Sequence, residues 1–351
     1  MSRITRVSVE ALDLPMEEPF EISLGTQHEA RNVLVEIETE SGAVGYGEGS
    51  PIAPVTGETQ AAALAVAKAA ATLLEGEDVA DYRRLVETTR KSFPGMVSAL
   101  FAVETALLDT YCREREIPLA SLFGGGTRPV TTDITIPILS PQKAASTASR
   151  AIEHGFEHLK IKTGNDVDED IDRVAAIADV AEGAELKVDA NQGWSVKETV
   201  AFASEIDRRG IELALIEQPV RKDDIAGLSL ARDSVHVPIA ADESVFTPAD
   251  ALRVVREDAA DVLNVKLGKS GPLAAAEIVA IAKAANLELM VGCMLESAIG
   301  IHTSAHLVAG TGAFSYVDLD GNLLLEDDVV QTQYGPTIEI TGSGHGVTPE
   351  R

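Results

Sequence analysis

Cysteine, aromatic residues and positive charge are all scarce in this chain. Two cysteines, Cys112 and Cys293, in 351 residues make no disulfide framework, and they lie too far apart in sequence to suggest a metal-binding pair. Aromatics are 4% of the chain against 45% hydrophobic residues, so the interior has to be built mainly from Ala, Val, Leu and Ile. Only 29 Lys and Arg stand against 56 Asp and Glu, a net charge of −27, and no Lys precedes Lys68. A phosphate backbone would be repelled by most of such a surface, which argues against nucleic acid as a partner. The acids are dispersed, as in Glu75, Glu77 and Asp78 or Asp166, Asp168, Glu169, Asp170 and Asp172. Dispersed acidity of this kind resembles a halophilic surface, where salt screens the self-repulsion. No uninterrupted apolar run of 18 residues occurs, and Met1-Ser2-Arg3-Ile4 has no apolar signal core. No membrane association and a cytoplasmic location are therefore expected.

The length leaves room for an α/β barrel of about 250 residues and a smaller partner domain. The first part reads as strands followed by helices. Val33, Val35 and Ile37 alternate with Asn32, Glu36 and Glu38 along a half-buried strand that ends at Ser41-Gly42. An Ala-rich helical stretch opens at Thr56-Gly57-Glu58-Thr59 and runs through Leu74, followed by helical segments near Val79–Arg90 and Met96–Arg115. Residues 1–125 thus form an α+β domain. Short apolar strands then alternate with helices such as Val167–Ala181, Ser195–Arg208 and Pro272–Ala284. The strands are Ile134–Leu139, His158–Lys162, Glu185–Asp189, Leu215–Glu217, Ile239–Asp242, Val262–Lys266, Leu289–Cys293 and Phe314–Asp318. Eight strands are what a closed parallel barrel needs, over residues 126–325. The remaining stretch, residues 326–351, is expected to return to the first domain.

Charged residues recur where these strands end: Lys160 and Lys162, then Asp189, Glu217, Asp242 and Lys266, spaced 24 to 28 residues apart from Lys162 onwards. In a barrel every such end faces one mouth, so the side chains converge. Asp189, Glu217 and Asp242 together offer the hard oxygen ligands that suit Mg²⁺, although any one acid alone could equally cap the next helix. The period of two in Lys160-Ile161-Lys162 puts both ammonium groups on one strand face. A buried ammonium beside a divalent cation has its pKa lowered and can act as a base. Lys266, four strands on from Lys162, stands across the barrel from it. A metal and two opposed bases suit removal of the α-proton of a carboxylate through an enediolate, with return of a proton to the other face. Simple ion pairing among lysines and acids is the plainer alternative. A Schiff-base lyase and a catalytically silent barrel remain as different classes.

These residues resemble the enolase superfamily, in its muconate-lactonizing subgroup with the Lys-x-Lys motif. The likeness also takes in Pro118-Leu119-Ala120-Ser121-Leu122-Phe123-Gly124-Gly125, Asn264-Val265-Lys266 and Gly292-Cys293-Met294-Leu295-Glu296-Ser297. It implies an α/β fold, a (β/α)7β TIM-like barrel with an α+β capping domain, and one Mg²⁺ per site. Asp318-Leu319-Asp320 resembles the Asp-x-Asp motif of dipeptide epimerases, whose two acids would hold the substrate ammonium. The resemblance thus implies inversion of the C-terminal residue of a dipeptide by Lys162 and Lys266. Substrate contacts are expected from Lys160, Thr135, Asn191, Glu296, Asp318 and Asp320, and from Leu24 and Gln27 in the cap. Alanyl-glutamate epimerases often carry a cation in the loop after the first strand. The corresponding residues here, Ile22 to His28, include no Arg or Lys, so a neutral or apolar C-terminal side chain is expected, bounded by Leu24, Gln27 and the loop Pro51–Thr56. The alternatives within the subgroup are muconate cycloisomerisation and dehydration to o-succinylbenzoate. A homo-oligomer is compatible with such barrels, and no interface signal stands out.

Overall fold

Strands β1 (Ile4–Ile22), β2 (Gly25–Thr39) and β3 (Val44–Gly49) form an antiparallel sheet in a computed structural model that describes residues 2–23 and 25–350. The alternation along β2 turns Val33, Val35 and Ile37, all fully buried, toward a layer of three helices. Those helices span Gln60–Ala71, Tyr82–Ser92 and Val97–Glu114. The first starts later than the Thr56–Leu74 reading, because the Thr59 side chain caps it by accepting from Ala62 N. Glycines on β3 let the helix Val97–Glu114 lie directly on the strand. A Cβ on Gly47 would sit 2.0 Å from the Ala102 carbonyl oxygen, and one on Gly49 would sit 2.2 Å from that of Ser98.

A short strand β4 (Val130–Thr131) precedes the parallel sheet of β5 (Ile134–Ile136), β6 (His158–Lys162), β7 (Glu185–Asp189), β8 (Leu215–Glu217), β9 (Ile239–Ala241), β10 (Val262–Lys266), β11 (Glu288–Gly292) and β12 (Tyr316–Val317). All eight expected strands are present, the first and last shorter than read. The chain leaves the ladder at Pro137, which has no N–H to give. The ends of the sheet meet where Asp133 N donates to Val317 O at 3.1 Å and Leu319 N donates to Thr132 Oγ1 at 2.7 Å. A principal helix follows each strand from β5 to β11, which gives a (β/α)7β barrel. Pro141, Pro248 and Pro272 stand at helix starts, and Ser195 with Glu198 forms a capping box. Among the described residues no helix is long and apolar enough to cross a membrane.

Past the barrel, β13 (Thr337–Ile338) pairs antiparallel with β4. The chain then reaches the first domain, where His345 N donates to Asp109 Oδ1 at 2.8 Å and Val347 packs with Leu14 and Tyr46. Nearby, on the helix Ala298–Thr311, lie His302 and His306. Burial, with His345 adding to it, lowers their pKa values to about 4 and about 3. An unfolded histidine takes a proton near 6.5, so between pH 6.5 and about 4 the unfolded state binds more protons and stability falls as the pH falls. His306→Asn keeps an acceptor for Ala120 N, which His306 Nδ1 now serves, and removes the titration. Its Tm should fall less steeply than that of the unsubstituted protein between pH 6.5 and 4.5, followed by circular dichroism.

Candidate active site

The barrel register sets the charged residues side by side. Lys162 pairs with Asp189 across β6 and β7, and Asp189 with Glu217 across β7 and β8. Asp242 follows β9 directly, and Lys266 ends β10 on the far side. Ligand oxygens of Asp189, Glu217 and Asp242 all lie within 4.8 Å of one another, and all three side chains are buried. An all-oxygen set that converges this closely fits a divalent cation of the Mg²⁺ kind.

Three lysines face these acids. Lys160 Nζ lies 3.1 Å from Asp189, 2.8 Å from Glu217 and 2.6 Å from Asp318. Lys162 Nζ lies 2.7 Å from Asp189, and Lys266 Nζ lies 2.7 Å from Asp242. Burial alone would lower the pKa of Lys160 and Lys266. The facing carboxylates, led by Asp318 for Lys160 and Asp242 for Lys266, outweigh it and hold both above the ordinary value. The lowered lysine pKa expected beside a divalent cation is therefore not produced by the protein's own groups. Burial and the neighbouring Asp189 charge push Glu217 up to about 8. On Asp242 burial is overcome by Lys266, Lys269 and Lys160, and its carboxyl is held below the usual range.

Beside this cluster a second one gathers Asp133, Asp318 and Asp320. Asp318 is drawn down to about 2 because Lys160, Lys266 and Lys162 outweigh its burial. Asp320 is pushed up to about 6 by burial and by Asp318. A cation placed next to Asp320 would relieve that repulsion. Thr135 holds the pair in place, its N–H donating to Asp320 Oδ2 at 2.5 Å and its hydroxyl to Asp318 Oδ1 at 3.4 Å.

Lys160, Lys162, Lys266, Thr135, Asn191, Asp242, Asp318 and Asp320 line one cavity at the barrel mouth. Apolar walls complete it: Phe20 and Ile22 from β1, Ile52 and Val55 from the loop after β3, and Met294, Leu295 and Leu324 from the barrel. Two of the expected contacts are not walls of this cavity. Gln27 lies in the paired part of the β1–β2 hairpin and lines a neighbouring cavity with Ala30 and Pro51. Glu296 is fully buried, accepts from Met294 N at 3.0 Å and abuts Gly300, with burial and then Glu48 raising its pKa to about 8. Leu24 lies outside the described residues. Asn191 lines the cavity, yet its side chain is engaged by Lys162 Nζ at 3.2 Å and Glu243 at 3.3 Å.

Other site residues were not singled out from the sequence. Asn264 Nδ2 donates to Glu217 Oε1 at 2.7 Å, Lys269 Nζ lies 2.6 Å from Asp242 Oδ1, and Lys187 Nζ lies 2.6 Å from Asp133. Lys187 carried a usable signal, since it stands two residues before Asp189 on the same strand face.

Lys160→Met would leave Asp189, Glu217 and Asp318 short of a buried partner. A loss of about 3–5 kcal/mol is expected, read from urea unfolding, with Mg²⁺ restoring part of it.

Comparison with known proteins places this geometry. Residues 143–351 match the family described as enolase C-terminal domain-like, and residues 4–124 match the mandelate racemase / muconate lactonizing enzyme N-terminal domain. An L-Ala-D/L-Glu epimerase from Thermotoga maritima is 42% identical over 343 residues, 97% of this chain and 99% of that protein. The substrate-liganded L-Ala-D/L-Glu epimerase of Bacillus subtilis superposes with a TM-score of 0.95 at 36% identity, covering 98% of each chain. A dipeptide epimerase from Enterococcus faecalis V583, complexed with Mg and L-Leu-L-Tyr, superposes with a TM-score of 0.93 at 36% identity, covering 98% of this chain and 99% of that one.

Proposed function

The chain belongs to the enolase superfamily, with the N- and C-terminal domains of the mandelate racemase / muconate lactonizing enzyme group, and on that premise we propose that it is a Mg²⁺-dependent dipeptide epimerase. The observation that carries the reading is the pairing of two carboxylate clusters in one cavity, with Lys162 and Lys266 on opposite sides of the barrel between them. Asp318 and Asp320 hold the substrate ammonium. Asp189, Glu217 and Asp242 would hold the Mg²⁺ ion, and the chemistry it supplies when bound is charge compensation for the enediolate. The lysine that is a neutral amine takes the α-proton of the C-terminal residue. The other, as an ammonium, returns a proton to the opposite face, and the stereocentre inverts.

Neutral or apolar side chains suit the cavity. Its walls from the cap are Phe20, Ile22, Ile52 and Val55, and its lysines are all engaged by carboxylates. A side-chain carboxylate would meet no free cation there among the described residues and would lose hydration without compensation. Incubation of a dipeptide library with Mg²⁺ in D₂O, read by mass, should show one deuterium at the C-terminal α-carbon, with apolar dipeptides ahead of alanyl-glutamate. No exchange in any dipeptide would overturn the assignment, and turnover of alanyl-glutamate alone would overturn the side-chain preference. Asp318→Asn should lower turnover by about ten-fold or more, since it weakens a buried charged hydrogen bond. A cycloisomerase or dehydratase, whose substrate has no ammonium, need not be harmed by that change.

The surface charge supports a cytoplasmic home of high salt. Asp168, Glu169 and Asp172 are exposed, whereas Asp170 in the same run is buried against Arg173. Tm should rise steeply from dilute buffer to molar KCl; full stability in dilute buffer would count against this home.

A further inference from the structure

We propose that Ser23, at the tip of the β1–β2 hairpin, is a positioning residue for Lys162 that latches the cap to one of the two bases and leaves the other alone. The inference rests on the two-base epimerase reading. Ser23 Oγ donates to the Asn191 carbonyl oxygen at 2.9 Å, a contact between residues 168 apart in the chain. Asn191 stands in the left-handed region at φ 40°, uncommon for a residue with a side chain. There its carbonyl meets the hairpin, while its N–H donates to Asp189 Oδ1 at 2.9 Å and its Oδ1 accepts from Lys162 Nζ at 3.2 Å. One residue thus connects the cap, a carboxylate of the proposed metal site and a base.

The hairpin tip is seated by more than this bond. Glu21 O accepts from Ile138 N at 3.1 Å. Gly164, after β6, lies under the tip, where an added Cβ would come 3.2 Å from the Ser23 Cβ and 2.2 Å from the Ala190 oxygen. Asp170 in turn accepts from Gly164 N at 2.8 Å, so the platform is fixed from below. Lys266 is held from within the barrel instead. Asp242 pairs with it at 2.7 Å, and a Cβ on Gly292 would come 2.7 Å from its Cε. A loosened hairpin therefore disturbs the Lys162 side.

Each epimer of a dipeptide gives its α-proton to a different lysine, so the two sides can be read separately. The test measures initial α-deuterium exchange in D₂O, with Mg²⁺, from both epimers of one dipeptide that the unsubstituted enzyme turns over. Lys162→Ala identifies the epimer that depends on Lys162, because exchange from that epimer alone is lost. Ser23→Ala should slow exchange from the same epimer about five-fold, the effect of one hydrogen bond, and leave the other within about two-fold. Ser23→Thr, which keeps the hydroxyl, should restore the rate. Equal slowing of both epimers, or of neither, overturns the latch. If the unsubstituted enzyme exchanges no epimer of any dipeptide, the epimerase reading itself fails and the latch falls with it.

Discussion

Everything at the barrel mouth follows from one electrostatic constraint: buried carboxylates on neighbouring strands repel one another unless positive charge lies between them. Asp189, Glu217 and Asp242 are buried with their ligand oxygens within 4.8 Å of one another. Lys160 lies between that group and Asp318, and so joins two clusters that would otherwise each be unstable. Lys162, Lys266 and Lys269 close the balance from the sides. A divalent cation and an ammonium group are the kinds of ligand that such a floor suits, and the same acids orient the lysines.

The cap answers a different need. Charged groups in a wide mouth would be hydrated, and hydration weakens each interaction among them. Phe20 and Ile22 from the hairpin, with Ile52 and Val55 from the segment after β3, bring apolar surface over the mouth. Behind it, glycines on β3 let the helix Val97–Glu114 lie directly on the sheet.

Strand ends were legible in the sequence wherever an apolar run stops at a charge, as at Lys162, Asp189, Glu217 and Lys266. Their convergence needed only the repeat length and the parallel topology. What the sequence did not reveal depends on contacts between distant segments. Gln27 looked well placed as a neighbour of the tip, and it stands opposite Phe20 in the hairpin, yet it lines the adjoining cavity while Phe20 and Ile22 line the site. Glu296 stood in a motif of the family yet is buried, where it accepts from Met294 N. Lys269 was hidden for the opposite reason, since nothing in its local pattern distinguishes a lysine that serves a carboxylate one strand away, while Asn264 stood in a quoted motif without the role it has beside Glu217, two strands away.

One feature of the cap bears on how such proteins can be recombined. Glu48, buried on β3, accepts from Ser297 N at 2.9 Å, from Ser297 Oγ at 2.6 Å and from Gly300 N at 3.1 Å, while Asn32 and Ser50 donate to the Leu295 oxygen at 2.7 and 2.8 Å. The capping sheet thus caps the start of a barrel helix and shapes the loop that carries Met294 and Leu295 to the cavity. The heritable unit of this pocket crosses the domain boundary. A cap grafted from a relative brings half a wall, and the graft is complete only when residues 294–300 travel with it.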